Sequence, residues 1–160
     1  NKGVMRLNNV APNNFKFKKL IPHCSAIIDQ SGGFNFDACF LRGVMLYLVN
    51  ANIKAMNDFD SAMNIRTNPH LAYLFKGILL EKVGKYDEAL AHYSKSAEFA
   101  ANNAIAFYFR GKLKAETGDQ AAAIEDFDKA LAINEDFMFY LERAETYSKM
   151  SKEKDRKSVV

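Results

Sequence analysis

Apolar residues recur along this chain at spacings of three and four, in runs separated by polar or glycine-bearing joints. From Phe17 to Gln30, Leu20, Ile21, Cys24, Ile27 and Ile28 follow that spacing, the period of one helix face. Pro22 has no backbone N–H to donate, so it fits best in a first turn and places the helix start near it. Ser31-Gly32-Gly33 closes this helix, because glycine accepts the positive φ of a helix C-cap. The same reading predicts helices over 35–49, 52–65, 70–83, 86–100, 104–117 and 120–133, and a closing helix over 137–150. Asn68-Pro69, Gly84, Asn102-Asn103 and Gly118-Asp119 punctuate the joins. Residues 1–16 hold five Asn and a Pro without helical period and read as an extended or disordered lead-in; residues 151–160 read as a basic tail.

The runs repeat. Shifted by 68 residues, Arg110-Gly111 falls on Arg42-Gly43, and the segment Asp126 to Ile133 falls on Asp58 to Ile65. Half that shift, 34 residues, puts Gly111 on Gly77, Gly118 on Gly84, Ala123 on Ala89 and Phe127 on Tyr93. A self-match at such a period is the signature of a helical-repeat array, in which one helix pair cannot bury its apolar stripe but stacked neighbours can. Small residues then have a geometric role. Gly43, Gly77, Gly111 and Ala144 sit midway along each first helix, where a partner must come close, and Ala55, Ala89 and Ala123 do the same on each second helix. Phe59, Tyr93 and Phe127 fill the gap to the following pair.

These residues resemble the tetratricopeptide repeat, with Gly at position 8, Gly at 15, Ala at 20, an aromatic at 24 and small residues near 27. In the middle repeat they are Gly77, Gly84, Ala89, Tyr93 and Ser96; in the first, Asn50 stands where Gly84 would fall. Position 4, often Trp in that family, is Cys39, Tyr73, Phe107 and Tyr140. The resemblance implies an all-α, right-handed α-solenoid of antiparallel helix pairs. It would have repeats at 36–69, 70–103 and 104–136, an N-terminal helix and the closing helix at 137–150, within a repeat domain spanning 17–150.

Charge narrows the partner class. Residues 1–35 hold five Lys/Arg against Asp29 (+4), residues 36–148 hold twelve against sixteen acids (−4), and residues 149–160 hold five against two (+3). A nucleic-acid binder concentrates basic charge on its working surface, whereas here the array is acidic and its flanks are basic, so nucleic acid is not expected. No apolar run is long enough to cross a bilayer, so membrane insertion is not expected either. Cys24 and Cys39 make neither a disulfide framework nor a metal-ligand spacing, which favours a reducing, cytoplasmic setting. A chain that opens on Asn1 reads as a piece of a longer protein.

The sequence offers no enzyme. Ser31-Gly32-Gly33 joins two helices and follows no strand, so it is not a phosphate loop. His23, His70 and His92 lie in three separate elements, and His23 beside Cys24 reads as an exposed imidazole next to a packed thiol. The acid pairs Asp58/Asp60, Asp87/Glu88 and Asp126/Asp128 recur with the repeat and read as solvated helix faces. Arg42, Arg110 and Arg143 recur one residue before the small residue and read as bridges to acids on neighbouring helices. No catalytic residue, metal ligand or cofactor is predicted.

The resemblance implies that positions 2, 5, 6, 9 and 12 of each first helix line a concave groove. These fall on Phe40, Val44 and Tyr47, on Leu71, Leu74, Phe75 and Ile78, on Ile105, Tyr108, Phe109 and Lys112, and on Met138, Leu141 and Glu145. Phe75 and Phe109 are the ones expected to tilt into the core. The rest predicts a large apolar surface, and such surfaces mark partner sites. One subgroup of the family grips the terminal carboxylates of chaperones. The matching positions here, Phe40, Val44, Phe75, Ile105 and Phe109, carry no cation, which excludes that mode. The expected function is a protein-interaction module that takes an apolar or amphipathic peptide, as adaptor or scaffold. Three alternatives use the same surface: a self-associating segment of a longer repeat protein or a homodimer, a chaperone for unfolded or secreted segments, and self-binding of the lead-in through Val4, Met5, Leu7 and Val10.

Overall fold

The computed structural model describes residues 14–158, which contain eight helices and no strand. They are α1 (Asn14–Gln30), α2 (Phe36–Leu48), α3 (Asn52–Ile65), α4 (His70–Lys82), α5 (Tyr86–Phe99), α6 (Ala104–Thr117), α7 (Gln120–Ile133) and α8 (Phe137–Ser158). The chain divides into two compact units, residues 1–67 and 68–160. In the first, α2 packs between α1 and α3. In the second, α4 pairs with α5, α6 with α7, and α7 with α8.

The helix ends follow from short polar side chains and residues that tolerate positive φ. Asn35 starts α2 by accepting from the Ala38 N–H at 2.9 Å, and Asp119 starts α7 by accepting from Ala122 at 3.2 Å. The turns inside the repeats use a left-handed residue at the same repeat position: Gly84 at φ 78°, Gly118 at φ 98°, and Asn50 at φ 61°. Asn is among the side chains that tolerate this region best, which explains why the first repeat does without glycine there.

The midway glycines act as the repeat predicts. A Cβ at Gly77 would stand 2.6 Å from the Tyr93 ring, and one at Gly43 would stand 2.8 Å from the Phe59 ring. Phe59, Tyr93 and Phe127 are fully buried, each lying against the first helix of its own pair through the gap the glycine leaves.

Three expectations change. Pro22 lies in the interior of α1, which begins at Asn14 instead of near the proline. Pro22 is exposed, so the carbonyl it leaves without a donor can turn to water. At the other end, α8 runs through the tail to Ser158, because nothing from Phe137 onward is glycine or proline and Lys, Glu and Arg are good helix formers. Finally, Asp58 and Asp126 are not solvated: they are 5% and 1% exposed.

Those two aspartates are buried because arginines meet them. Arg42 on α2 donates to both carboxylate oxygens of Asp58 on α3 at 2.7 and 2.6 Å, and to the Ser25 hydroxyl on α1 at 2.9 Å. Arg110 on α6 repeats this with Asp126 on α7, at 2.8 and 2.6 Å, and with Ser94 on α5 at 3.0 Å. Two parallel N–H···O bonds match the guanidinium fork to the carboxylate, the strongest geometry for such a pair. Arg143 on α8 reaches Asp128 on α7.

Candidate peptide-binding face

In the second unit, α4 touches α6 and α6 touches α8, whereas α5 and α7 do not touch. The first helices therefore crowd together on one side, which is the inner curve of this unit. Two caps set the start of that face. Asn103 accepts from the Ile105 N–H at 3.2 Å, and Asp136 accepts from the Met138 N–H at 2.8 Å, so α6 and α8 each open on an apolar residue.

Leu71, Ile105, Met138 and Leu141 are exposed, by 37%, 41%, 46% and 39%. Ile78, Tyr108 and Lys112 are partly buried. Leu74 is different. At 5% exposure it belongs to the core and offers no side-chain surface to a ligand, while Phe75 and Phe109, the residues expected to turn inward, are only half-buried. Glu145 is exposed.

Tyr108 anchors the middle of the face. Its ring centroid lies 5.1 Å from Phe139, 5.4 Å from Phe109 and 6.3 Å from Phe127. Its hydroxyl donates to Glu142 at 3.4 Å. Burial, then the Glu142 charge, push the phenol pKa up to about 12, so it stays a neutral donor. Glu81 on α4 accepts the Tyr93 hydroxyl at 2.6 Å. Burial raises its pKa, with the Tyr93 hydrogen bond and Lys112 acting against that and Glu116 adding to it. Glu81 and Glu142 are absent from the residues predicted above, yet they occupy positions 12 and 6 of their helices, which the groove rule itself selects.

Phe40, Val44 and Tyr47 stand on α2 of the first unit, all partly buried. Phe40 lies 5.8 Å from Phe36 and 5.9 Å from Phe59, so much of its ring is already used in packing. Val4, Met5, Leu7 and Val10 lie outside the described residues.

Among the described residues, the histidines, the thiols and the groups lining a cleft in the first unit are scattered or already committed. His70 and His92 pair locally, through Nδ1, with Asn68 Oδ1 at 3.2 Å and the Glu88 carbonyl at 2.9 Å. Among the described residues no cluster of His, Cys, Asp or Glu is placed to hold a metal, and no helix is long and apolar enough to cross a membrane. A cleft of about 330 Å³ in the first unit is lined by Ile21, Ser25, Arg42, Lys54 and Asp58, but the Arg42 guanidinium is committed to Asp58 and Ser25. Burial raises the thiol pKa of both Cys24 and Cys39, which makes them poor nucleophiles.

The fold and this face define an all-α helical-repeat solenoid. Residues 70–103 and 104–137 each match the family model described as tetratricopeptide repeat, so this part of the chain is a pair of tetratricopeptide repeats. No curated protein matches the chain in sequence. Two solved structures of MamA share its fold. One has a TM-score of 0.77 at 16% identity, covering 92% of this chain and 86% of that one. The other has a TM-score of 0.74 at 17% identity, covering 86% and 75%. The first tetratricopeptide domain of Spaghetti (RPAP3), bound to the HSP90 peptide SRMEEVD, is similar with a TM-score of 0.69 at 11% identity, covering 72% of this chain and 93% of that domain.

Proposed function

We propose that the chain is a non-enzymatic interaction module whose second unit holds an apolar or amphipathic peptide on the inner face of α4, α6 and α8, in an adaptor or scaffold role. The observation that carries this is the exposure of Leu71, Ile105, Met138 and Leu141 on first helices that touch in sequence, beside the half-buried Tyr108. Aromatic and aliphatic anchors with polar neighbours, here Lys112, Glu81 and Glu142, make the usual pattern of a peptide groove. A domain of this fold holds a peptide in the RPAP3 structure, which supports a peptide as the ligand class. It does not extend to that peptide's chemistry, since the positions that would meet a terminal carboxylate are apolar here. Nucleic acid is disfavoured by the cations themselves: Arg42, Arg110, Lys114 and Arg143 are each spent on an aspartate.

Peptides selected from a random displayed library on the intact chain test the reading. Enriched sequences should carry apolar residues at helical or alternate spacing. Their binding should fall at least about tenfold when Ile105 and Leu141 are both changed to Glu, because losing two anchors costs more than 1.4 kcal/mol. Both residues are exposed, so helicity should persist. Absence of enrichment, or peptides that bind the double variant equally well, defeats the proposal.

A further inference from the structure

α1 carries the pattern of a second helix without its first, and α8 that of a first helix without its second. α1 behaves as a second helix. Its Ser25 meets Arg42 of the following first helix as Ser94 on α5 meets Arg110, at 2.9 and 3.0 Å. With those serines aligned, Ile21 and Ile28 take the places of Leu90 and Ala97, and burial agrees along that side. The other side does not agree. Ala89, Tyr93 and Ser96 on α5 are sealed at 0, 0 and 0% exposure by their own first helix, whereas their counterparts Leu20 and Ile27 are 49% and 45% exposed and Cys24 is partly so. Among the described elements α1 packs only on α2.

α8 is the complement. Its Phe139 and Thr146 are buried, as Ala106 and Leu113 are at the matching places on α6. Its midway small residue Ala144 is exposed, although Gly43, Gly77 and Gly111 are all buried under a second helix. Tyr140 and Tyr147, which flank Ala144 on that side, are 44% and 49% exposed.

We propose that the open face of α8 receives α1 of a second copy of this chain, so that a complete helix pair forms at the junction. The match is one of size as well as pattern. Leu20, Cys24 and Ile27 are spaced four and three apart, and Tyr140, Ala144 and Tyr147 are spaced four and three apart. In the antiparallel register of the other repeats, Ala144 meets Cys24, Tyr140 meets Ile27 and Tyr147 meets Leu20. A methyl group midway along a first helix would collide with a buried aromatic, as a Cβ at Gly77 would with Tyr93 at 2.6 Å. A second helix that fits Ala144 therefore needs a small residue opposite it, and α1 presents Cys24 there. The surfaces are different, so the contact is heterologous and joins copies head to tail. The register also brings the basic start of α1 toward Lys149 and Lys152, so association strengthens as salt screens that repulsion.

A chain carrying Ala144→Cys and Cys24→Ser, mixed with a size-tagged chain that keeps Cys24 and Ala144, tests this by disulfide trapping with a copper oxidant at mildly alkaline pH, where both thiols ionise, at high protein concentration and high salt. The expected product is a linked pair with one of each chain, formed only in the mixture. Cys39, 2% exposed, serves in neither chain. Leu20→Lys in the tagged chain should cut the yield about tenfold, the effect of losing roughly 1.4 kcal/mol at the junction. Circular dichroism confirms that each chain is folded. No linked pair in the mixture overturns the proposal. Linkage of the Ala144→Cys chain to itself in equal amount also overturns it, and assigns α8 to an α8–α8 contact.

Discussion

The two arginine clamps invite comparison, because one repeat design appears twice with one difference. In the first unit Arg42 ties α1, α2 and α3 together through Ser25 and Asp58; in the second Arg110 ties α5, α6 and α7 through Ser94 and Asp126. The difference is one turn further along the first helix. Lys114 donates a third charged contact to Asp126 at 2.8 Å, whereas the matching place in the first unit is Leu46, a buried core residue. Burial raises the Asp126 pKa, but hydrogen bonds from Arg110 and Lys114 outweigh that and hold it below its ordinary range. A helix pair can thus place either a cation or an aliphatic side chain beside a buried carboxylate, provided the guanidinium fork is present. The fork supplies the geometry, and the neighbour sets how much charge stands unpaired if the carboxylate is removed.

Removing that carboxylate is the strongest way to break the comparison. Asp126→Ala leaves two cations facing a buried site and should lower unfolding stability by about 3–5 kcal/mol. Asp58→Ala strands one cation instead of two and should cost less, about 1–3 kcal/mol. Equal losses in chemical denaturation would show that Lys114 contributes nothing. A smaller effect tests the packing common to both units. Gly77→Ala gains about 1 kcal/mol of helix propensity. It also forces the buried Tyr93 ring aside at a cost of about 1–3 kcal/mol, so a modest net loss is expected. A stability gain in thermal melts would mean the ring yields freely.

The smallest effect is on pH. Asp126 titrates lower folded than unfolded, so its contribution is present above its ordinary value of 3.8 and disappears as pH falls through the folded value. Glu81 titrates higher folded than unfolded, so it contributes in the opposite sense: stability falls as pH rises from its ordinary value of 4.5 through the folded value. Asp126→Asn should flatten the acid limb and Glu81→Gln the limb above it, as read from denaturation midpoints against pH. A profile unchanged by either variant contradicts the assigned shifts.

Much of this molecule is legible from periodicity. The helices over 52–65, 104–117 and 120–133 fall where the pattern places them, because turn residues and caps bound each run. The interior proline of α1 and the long α8 were not legible, since whether a helix continues past a weak signal depends on solvent access and on the absence of any stop. The candidate face was legible only in part. Spacing identifies which residues share a helix side, but a first helix has neighbours on more than one side, and spacing does not say which neighbour comes closer.

The amino-acid order by itself determined the repeat length, the helix pairs, the gaps at Gly43, Gly77 and Gly111, and the arginines that reach to acids, because each is a local or fixed-offset relation. The tertiary structure alone decided that Leu74 is core while Leu141 is surface, that Asp58 and Asp126 are enclosed, and that Ala144 stands open while its glycine counterparts are covered. The physical reason is that burial is a property of what packs against a residue, and that neighbour stands on another helix, in the same repeat or the next, where spacing along one helix does not reach.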